Sequence, residues 1–252
     1  GQQFGGVDAA VEDFLLEARL QKDHFIYLDS LGLRTAGGKI TGAGYFNGSN
    51  PDLIYFSPDF TIENLALDKL LFKFENFGQE HLVSDNLVGA LSAGINGKIH
   101  VYPDLMPILD DSELALSLLV TDGELIDFPV MMAMADFFKD RNLRRVRFDT
   151  LQNEFTLENG LLNIPRMNIN TSIGFFELQG RQGTDLSMDY LVRVPWSMVT
   201  SAAKQKLFGK KKSKVDPDQI DEIQYRDADK NTRFLNVKVS GTVDSYEIKL
   251  GK

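Results

Sequence analysis

The chain has 252 residues and a formal net charge of −9, which disfavours nucleic acid as the main partner because phosphate binding needs clustered positive charge. It contains no cysteine, which excludes disulfides, thiolate metal sites and cysteine nucleophiles. A content of 43% hydrophobic and 25% charged residues is typical of a folded chain, and no apolar run is long enough for a membrane-spanning helix.

The start of the chain, Gly1-Gln2-Gln3, lacks an initiator methionine, which indicates a fragment of a longer protein. Any signal or membrane anchor would then lie upstream. The absence of cysteine suits both a cytosolic protein and a bacterial envelope protein that avoids oxidation. Composition therefore leaves the compartment open.

The first third of the chain predicts an amphipathic helix and then strands. Val7, Phe14 and Ala18 share one helical stripe with acidic residues opposite, which favours a helix. A turn cluster at 47–51 separates two of the strands. The elements predicted here are a helix at 7–20, strands at 24–34, 39–47 and 53–57, and a helix at 65–77.

The middle of the chain predicts two hairpins. Residues 87–101 contain Asn96-Gly97, the dipeptide typical of two-residue hairpin turns, between two apolar runs. In residues 113–128, apolar residues recur at every second position (Leu114, Leu116, Leu118 and Val120) before Asp122-Gly123, which indicates a second turn.

The region 148–180 predicts three consecutive strands with turns at 158–160 and 171–174. Apolar residues recur there with a period of two, as at Phe155 and Leu157, which is the pattern of a strand with one apolar face. The other elements predicted in the second half are a helix at 129–138, a strand at 185–194, a helix at 196–208 and two closing strands within 234–250.

This pattern predicts a mainly β protein of the α+β class: a long, curved antiparallel sheet or groove of repeated meanders, with a few short helices. Glycines within strands, such as Gly42 and Gly180, are expected to permit bulges and curvature. The predicted parts are an N-terminal helix and boundary segment at 1–23, a curved β unit with inserted helices at 24–208, a Lys-rich flexible loop at 209–222 and terminal strands at 223–252.

No catalytic or metal-binding constellation is readable in the residues, so the chain is predicted not to be an enzyme and to use no cofactor. His24, His81 and His100 do not share the spacing of metal ligands, and there is no HExxH, nucleophile elbow or P-loop. An envelope hydrolase is therefore the least favoured hypothesis.

Three charged clusters are candidate sites. Asp110, Asp111 and Glu113 offer oxygen ligands for a hard cation, although a solvated turn or helix cap explains them better. The arginines at 141–147 indicate a solvated face. The segment 204–214 holds six lysines around an apolar pair, which fits a flexible loop or a contact with anionic headgroups. The lysines of that contact would be Lys204, Lys206, Lys210, Lys211 and Lys212.

Three stretches carry a resemblance to a known family. They are the strand–Gly-Gly–strand unit at 31–44, the meander at 157–180, and the chain end, where the Lys-rich segment precedes 223–227 and a last strand at 237–242. They resemble the C-terminal region of the AsmA-like family, in the versions of Bacteroidetes-type bacteria, over about residues 24–252.

The resemblance implies a periplasmic protein tethered to the inner membrane by an N-terminal helix outside this chain. It implies a curved sheet whose hydrophobic groove contributes to phospholipid transport or outer-membrane assembly. The implied partners are lipid or a membrane surface and other envelope proteins, with no nucleic acid. The alternative is a structural or interaction domain that regulates outer-membrane assembly without binding lipid.

The residues expected to bind lipid lie on the alternating strand faces, and ordinary core packing is the competing explanation for the same faces. They are Leu114, Leu116, Leu118, Val120, Phe176, Leu178, Met188, Tyr190 and Val192.

Overall fold

The computed structural model describes residues 12–22, 24–73, 84–128, 131–132, 142–196, 198, 222–227, 231–242 and 245–251. Within these residues, twelve antiparallel strands form one open, curled sheet, and their order in the sheet is their order in the chain. The prediction of a mainly β protein with an antiparallel sheet is confirmed.

The elements are numbered in chain order. They are β1 (Glu12–Gln21), β2 (Phe25–Thr35), β3 (Gly38–Asn47), β4 (Tyr55–Ala66), α1 (Leu67–Lys73), β5 (Leu87–Val101), β6 (Pro107–Ile126), β7 (Arg145–Glu158), β8 (Leu161–Thr171), β9 (Gly174–Gly183), β10 (Ser187–Pro195), β11 (Phe234–Thr242) and β12 (Tyr246–Gly251).

The predicted meander is present as β7, β8 and β9. Asn159 and Gly160 both have positive φ, which is the geometry of a tight hairpin turn between β7 and β8. At the next turn, the Thr171 hydroxyl donates to the Gly174 carbonyl at 2.6 Å, and Ile173 is wholly buried. The two closing strands, β11 and β12, are also confirmed.

The prediction of a helix at 7–20 is wrong over the described residues, where the chain forms β1. The segment fits two periods at once, because Leu16, Ala18 and Leu20 also alternate with charged residues. The segment forms a strand because it pairs with β2 over most of its length. The helix predicted at 65–77 is present from Leu67 to Lys73 as α1, with Asp68 in its first turn, while Leu65 and Ala66 belong to β4.

The two hairpins predicted in the middle of the chain are wrong, since β5 and β6 are each one continuous strand. Asn96 pairs with Asp59 on one side and with Ala115 on the other, so the chain cannot turn there. Asp122 has a φ of 52° and forms a local irregularity in β6 rather than a turn.

Several predictions fall on residues outside the described ranges. The helices predicted at 129–138 and 196–208 lie largely there, and so does the Lys-rich loop at 209–222. The predicted division of the chain into parts that begin at residues 24, 209 and 223 stays a prediction. Strands that precede the Lys-rich segment and strands that follow it belong to the same sheet.

Candidate functional site

One face of the sheet is apolar from its first strand to its last. Following the Cα pairings from strand to strand gives a row with one residue per strand. Between β7 and β8 the row passes from Phe155 to Ile164, which is the next register position beyond the paired Thr156 and Asn163. The row runs Leu16, Leu31, Gly42, Phe60, Ile95, Leu116, Phe155, Ile164, Gly180, Tyr190, Val239 and Ile248.

β-Bulges would interrupt this face if the apolar residues kept a strict period of two, because an extra residue reverses the side-chain alternation. At each of three register shifts the apolar spacing is three residues instead. The pairs are Leu28 and Leu31 in β2, Ile62 and Leu65 in β4, and Ile164 and Met167 in β8. The sequence pattern and the bulges therefore compensate each other, and the face stays apolar.

Glycines of the row lie under aromatic rings of the neighbouring strand. A Cβ atom at Gly42 would lie 2.2 Å from the ring of Phe60, and one at Gly180 would lie 2.6 Å from the ring of Tyr190. The rings fill the space that a glycine leaves open on a sheet surface. The expectation that these glycines serve curvature stays a prediction, because close packing already explains them.

The two halves of the apolar face differ in burial. On β2 to β5 most of its side chains, including Phe56, Phe60 and Ile95, are only half-buried. On β7 to β11 most are buried, and two buried clusters form there around Phe155 and Val237. The second half of the face is thus core, and the first half presents apolar surface to solvent.

All nine residues expected to bind lipid lie on this one face. Six of them are half-buried: Leu114, Leu116, Leu118, Phe176, Leu178 and Tyr190. Val120, Met188 and Val192 are buried in the two clusters. Burial raises the pKa of Tyr190, whose hydroxyl donates to the side chain of Gln182. The five lysines at 204–212 lie outside the described residues.

No family model, curated protein or solved structure matches this chain. The resemblance to the AsmA-like family therefore stays an expectation drawn from the residues.

The opposite face of the sheet is polar, and sequence reasoning missed its main feature. Glu177 on β9 is 4% exposed and forms ion pairs with Arg193, with Arg226 at 2.7 Å and with Arg166 at 3.9 Å. Both Arg193 and Arg226 also lie over the ring of Phe234. This cluster fastens the segment 222–227 to the sheet.

An aromatic ladder crosses the polar face of β2 to β5. The ladder consists of Phe25, Tyr27, Tyr45, Tyr55 and His100. The ring centroids of Phe25 and Tyr27 are 6.0 Å apart, and those of each following pair of neighbours are 5.9–6.1 Å apart. Such cross-strand aromatic pairs stabilise a sheet. The ladder assigns His100 a packing role that only the strand register reveals.

The acidic residues Asp110, Asp111 and Glu113 lie within β6 rather than in a turn or helix cap. Asp110 accepts a hydrogen bond from the Thr184 hydroxyl, and within the described ranges no group of three acidic or histidine side chains is arranged to hold a metal ion. His24 has a φ of 64° and its carbonyl accepts a hydrogen bond from Gly48 at a turn, while His81 lies outside the described residues.

In the described part of the chain, no helix has the length and hydropathy to cross a bilayer.

Proposed function

We propose that the apolar face of the sheet binds the acyl chains of lipids, and that the chain is a non-enzymatic envelope module. In this proposal it contributes to phospholipid transport or outer-membrane assembly, as the resemblance to AsmA-like proteins implies. The observation that carries the proposal is the apolar row that crosses all twelve strands and remains half-exposed over β2 to β5.

The size of the half-exposed part fits an acyl chain. Strands in a sheet are about 4.8 Å apart, so the four strands β2 to β5 present a row roughly 14 Å long. One leaflet of a bilayer's hydrocarbon core is about 15 Å thick, and an acyl chain in the bilayer spans about this distance. Each methylene removed from water contributes about 0.8 kcal/mol, so even partial contact along this row stabilises a bound lipid.

A structural or interaction domain without lipid is the second candidate. It is favoured by the burial of the C-terminal half of the face, where Met188 and Val192 are 6% and 8% exposed. These two side chains act as core. An aspartate at either position would test folding rather than lipid binding, so the test belongs on β2 to β5.

Lipid extraction from the purified chain, followed by mass spectrometry, tests the proposal. Ile40 and Thr41 are adjacent on β3, half-buried alike, and lie on the apolar and polar faces respectively. We expect phospholipid to copurify with the wild type and with Thr41→Asp but not with Ile40→Asp, with circular dichroism confirming that both variants fold. Absence of lipid from the wild type, or equal lipid on a folded Ile40→Asp protein, would favour the second candidate.

A further inference from the structure

Among the described residues, the strand β1 is an edge of the sheet and has only β2 as a neighbour. Its apolar side chains on the shared face are open to solvent, with Leu16 50% exposed and Leu20 77% exposed. An edge strand presents a row of backbone N–H and C=O groups that can pair with another strand. β1 therefore combines open backbone groups with an uncovered apolar surface.

The sequence of β1 is self-complementary in an antiparallel register centred on Ala18. In that register Glu17 of one copy lies opposite Arg19 of the other, and Leu16 lies opposite Leu20. Opposite charges and apolar side chains placed directly across a strand pair each contribute about 0.2–1 kcal/mol. Both kinds of pair occur twice because the arrangement is two-fold symmetric.

We propose that two copies of this chain pair through β1 about a two-fold axis at Ala18. Antiparallel pairing about an axis perpendicular to the sheet keeps the apolar faces of both copies on the same side. The pairing provides partners for the edge backbone groups and covers Leu16 and Leu20. It joins the two sheets into one that carries an uninterrupted apolar face.

The existing contacts of the two charged residues are compatible with this pairing. The Nε atom of Arg19 donates a hydrogen bond to the carboxylate of Asp29, at 2.9 Å from Oδ1 and 2.7 Å from Oδ2. The guanidinium has two further amino groups that can donate to a second carboxylate. Glu17 accepts a hydrogen bond from the Ser30 hydroxyl at 3.2 Å, and a carboxylate accepts several.

The other edge of the sheet, β12, carries a similar alternation but is less suited to pairing. Its Glu247 and Lys249 already form an ion pair with each other. Tyr246 and Ile248 already pack against the buried cluster around Val237, so less apolar surface remains to be covered. A contact between β1 and β12 would moreover be heterologous and would form rings or open filaments of copies, without the self-complementary register that β1 offers.

Charge reversal tests the register by sedimentation equilibrium on delipidated protein. We expect the wild type to dimerise reversibly. Glu17→Arg and Arg19→Glu should each weaken dimerisation at least tenfold, because like charges then face each other. The double variant E17R/R19E restores opposite charges and should recover the dimer. A monomeric wild type, or a double variant as weak as the single ones, would overturn the proposal.

Cross-linking tests the same register by position, since the chain has no cysteine of its own. We expect Ala18→Cys to form a covalent dimer with a short bis-maleimide, and Ile248→Cys to remain uncross-linked. Cross-linking that requires a mixture of the two variants would show β1–β12 contacts and contradict the proposal. Delipidated protein is used, so the result is independent of whether the apolar face binds lipid.

Discussion

The ring of Phe60 on β4 lies against the backbone of Gly42 on β3, so closely that a Cβ atom at Gly42 would be 2.2 Å from its Cδ1 atom. The two residues are direct Cα partners in the sheet. The relationship shows how the apolar face is built, since a large ring and a glycine alternate where two large side chains would clash.

Replacing this glycine should therefore destabilise the sheet. We expect Gly42→Ala to lower the free energy of unfolding by about 1–3 kcal/mol, the usual cost of overpacking, measured by urea denaturation. Gly32→Ala on β2 is the matched control, because the nearest atom to an added Cβ there is 3.9 Å away. Equal stability of Gly42→Ala and the wild type would mean that the ring does not depend on the glycine.

Glu177→Gln tests the ionic cluster on the polar face. The substitution keeps the shape but removes the charge that Arg193 and Arg226 share. We expect a loss of about 1.5–3 kcal/mol in the free energy of unfolding, the range for hydrogen bonds to charged groups. Glu247→Gln removes half of a solvent-exposed pair, which water screens, and should cost clearly less than Glu177→Gln. Similar losses for both variants would contradict a special role for Glu177.

Ile173→Ala tests the turn between β8 and β9. Ile173 is 0% exposed and belongs to the buried cluster around Val237. Its truncation should therefore lower the free energy of unfolding by about 2–5 kcal/mol, measured by thermal or urea denaturation. Leu161→Ala, beside the turn between β7 and β8, is the control because Leu161 is exposed. If both variants unfold alike, the turn does not contribute to the core.

Asp127 supplies a pH-dependent contribution to stability. A hydrogen bond from Arg144 at 2.8 Å holds the pKa of Asp127 below its ordinary value. A carboxyl whose pKa is lower in the folded state stabilises the protein above its unfolded pKa of about 3.9, and this contribution is lost as pH falls through the folded pKa.

Asp127→Asn is the matching variant, because asparagine tolerates the φ of 46° at this position. Its melting temperature should lie below that of the wild type near neutral pH and converge with it under acid. A constant difference across the pH range would show that the charge of Asp127 is not involved.

Local alternation suffices to predict β7, β8 and β9, because each strand is separated from the next by residues that favour turns. The same reasoning fails at Asn96-Gly97, where strands pair on both sides of the dipeptide and hold the chain extended. It fails at β1 because Glu17 and Arg19 fit a helical surface as well as a strand. Tertiary pairing decides such segments, and a single sequence does not contain it.

The apolar face could be predicted from alternation, but its division into core and open halves could not. Met188 and Leu116 carry the same pattern in the sequence, and only the packing around them shows that one is buried and the other half-buried. The Glu177 cluster joins residues distant in sequence, because Arg226 reaches β9 from the segment 222–227.

Contact between acyl chains and the apolar face is the central claim, and adjacent positions on β3 test it most directly. A fluorophore is attached to Ile40→Cys or to Thr41→Cys, and quenching is measured with phospholipid that carries a nitroxide on its acyl chain. We expect strong quenching at residue 40 and little at residue 41, since the two side chains lie on opposite faces. Equal quenching at both positions, or none at residue 40, would contradict lipid binding by this face.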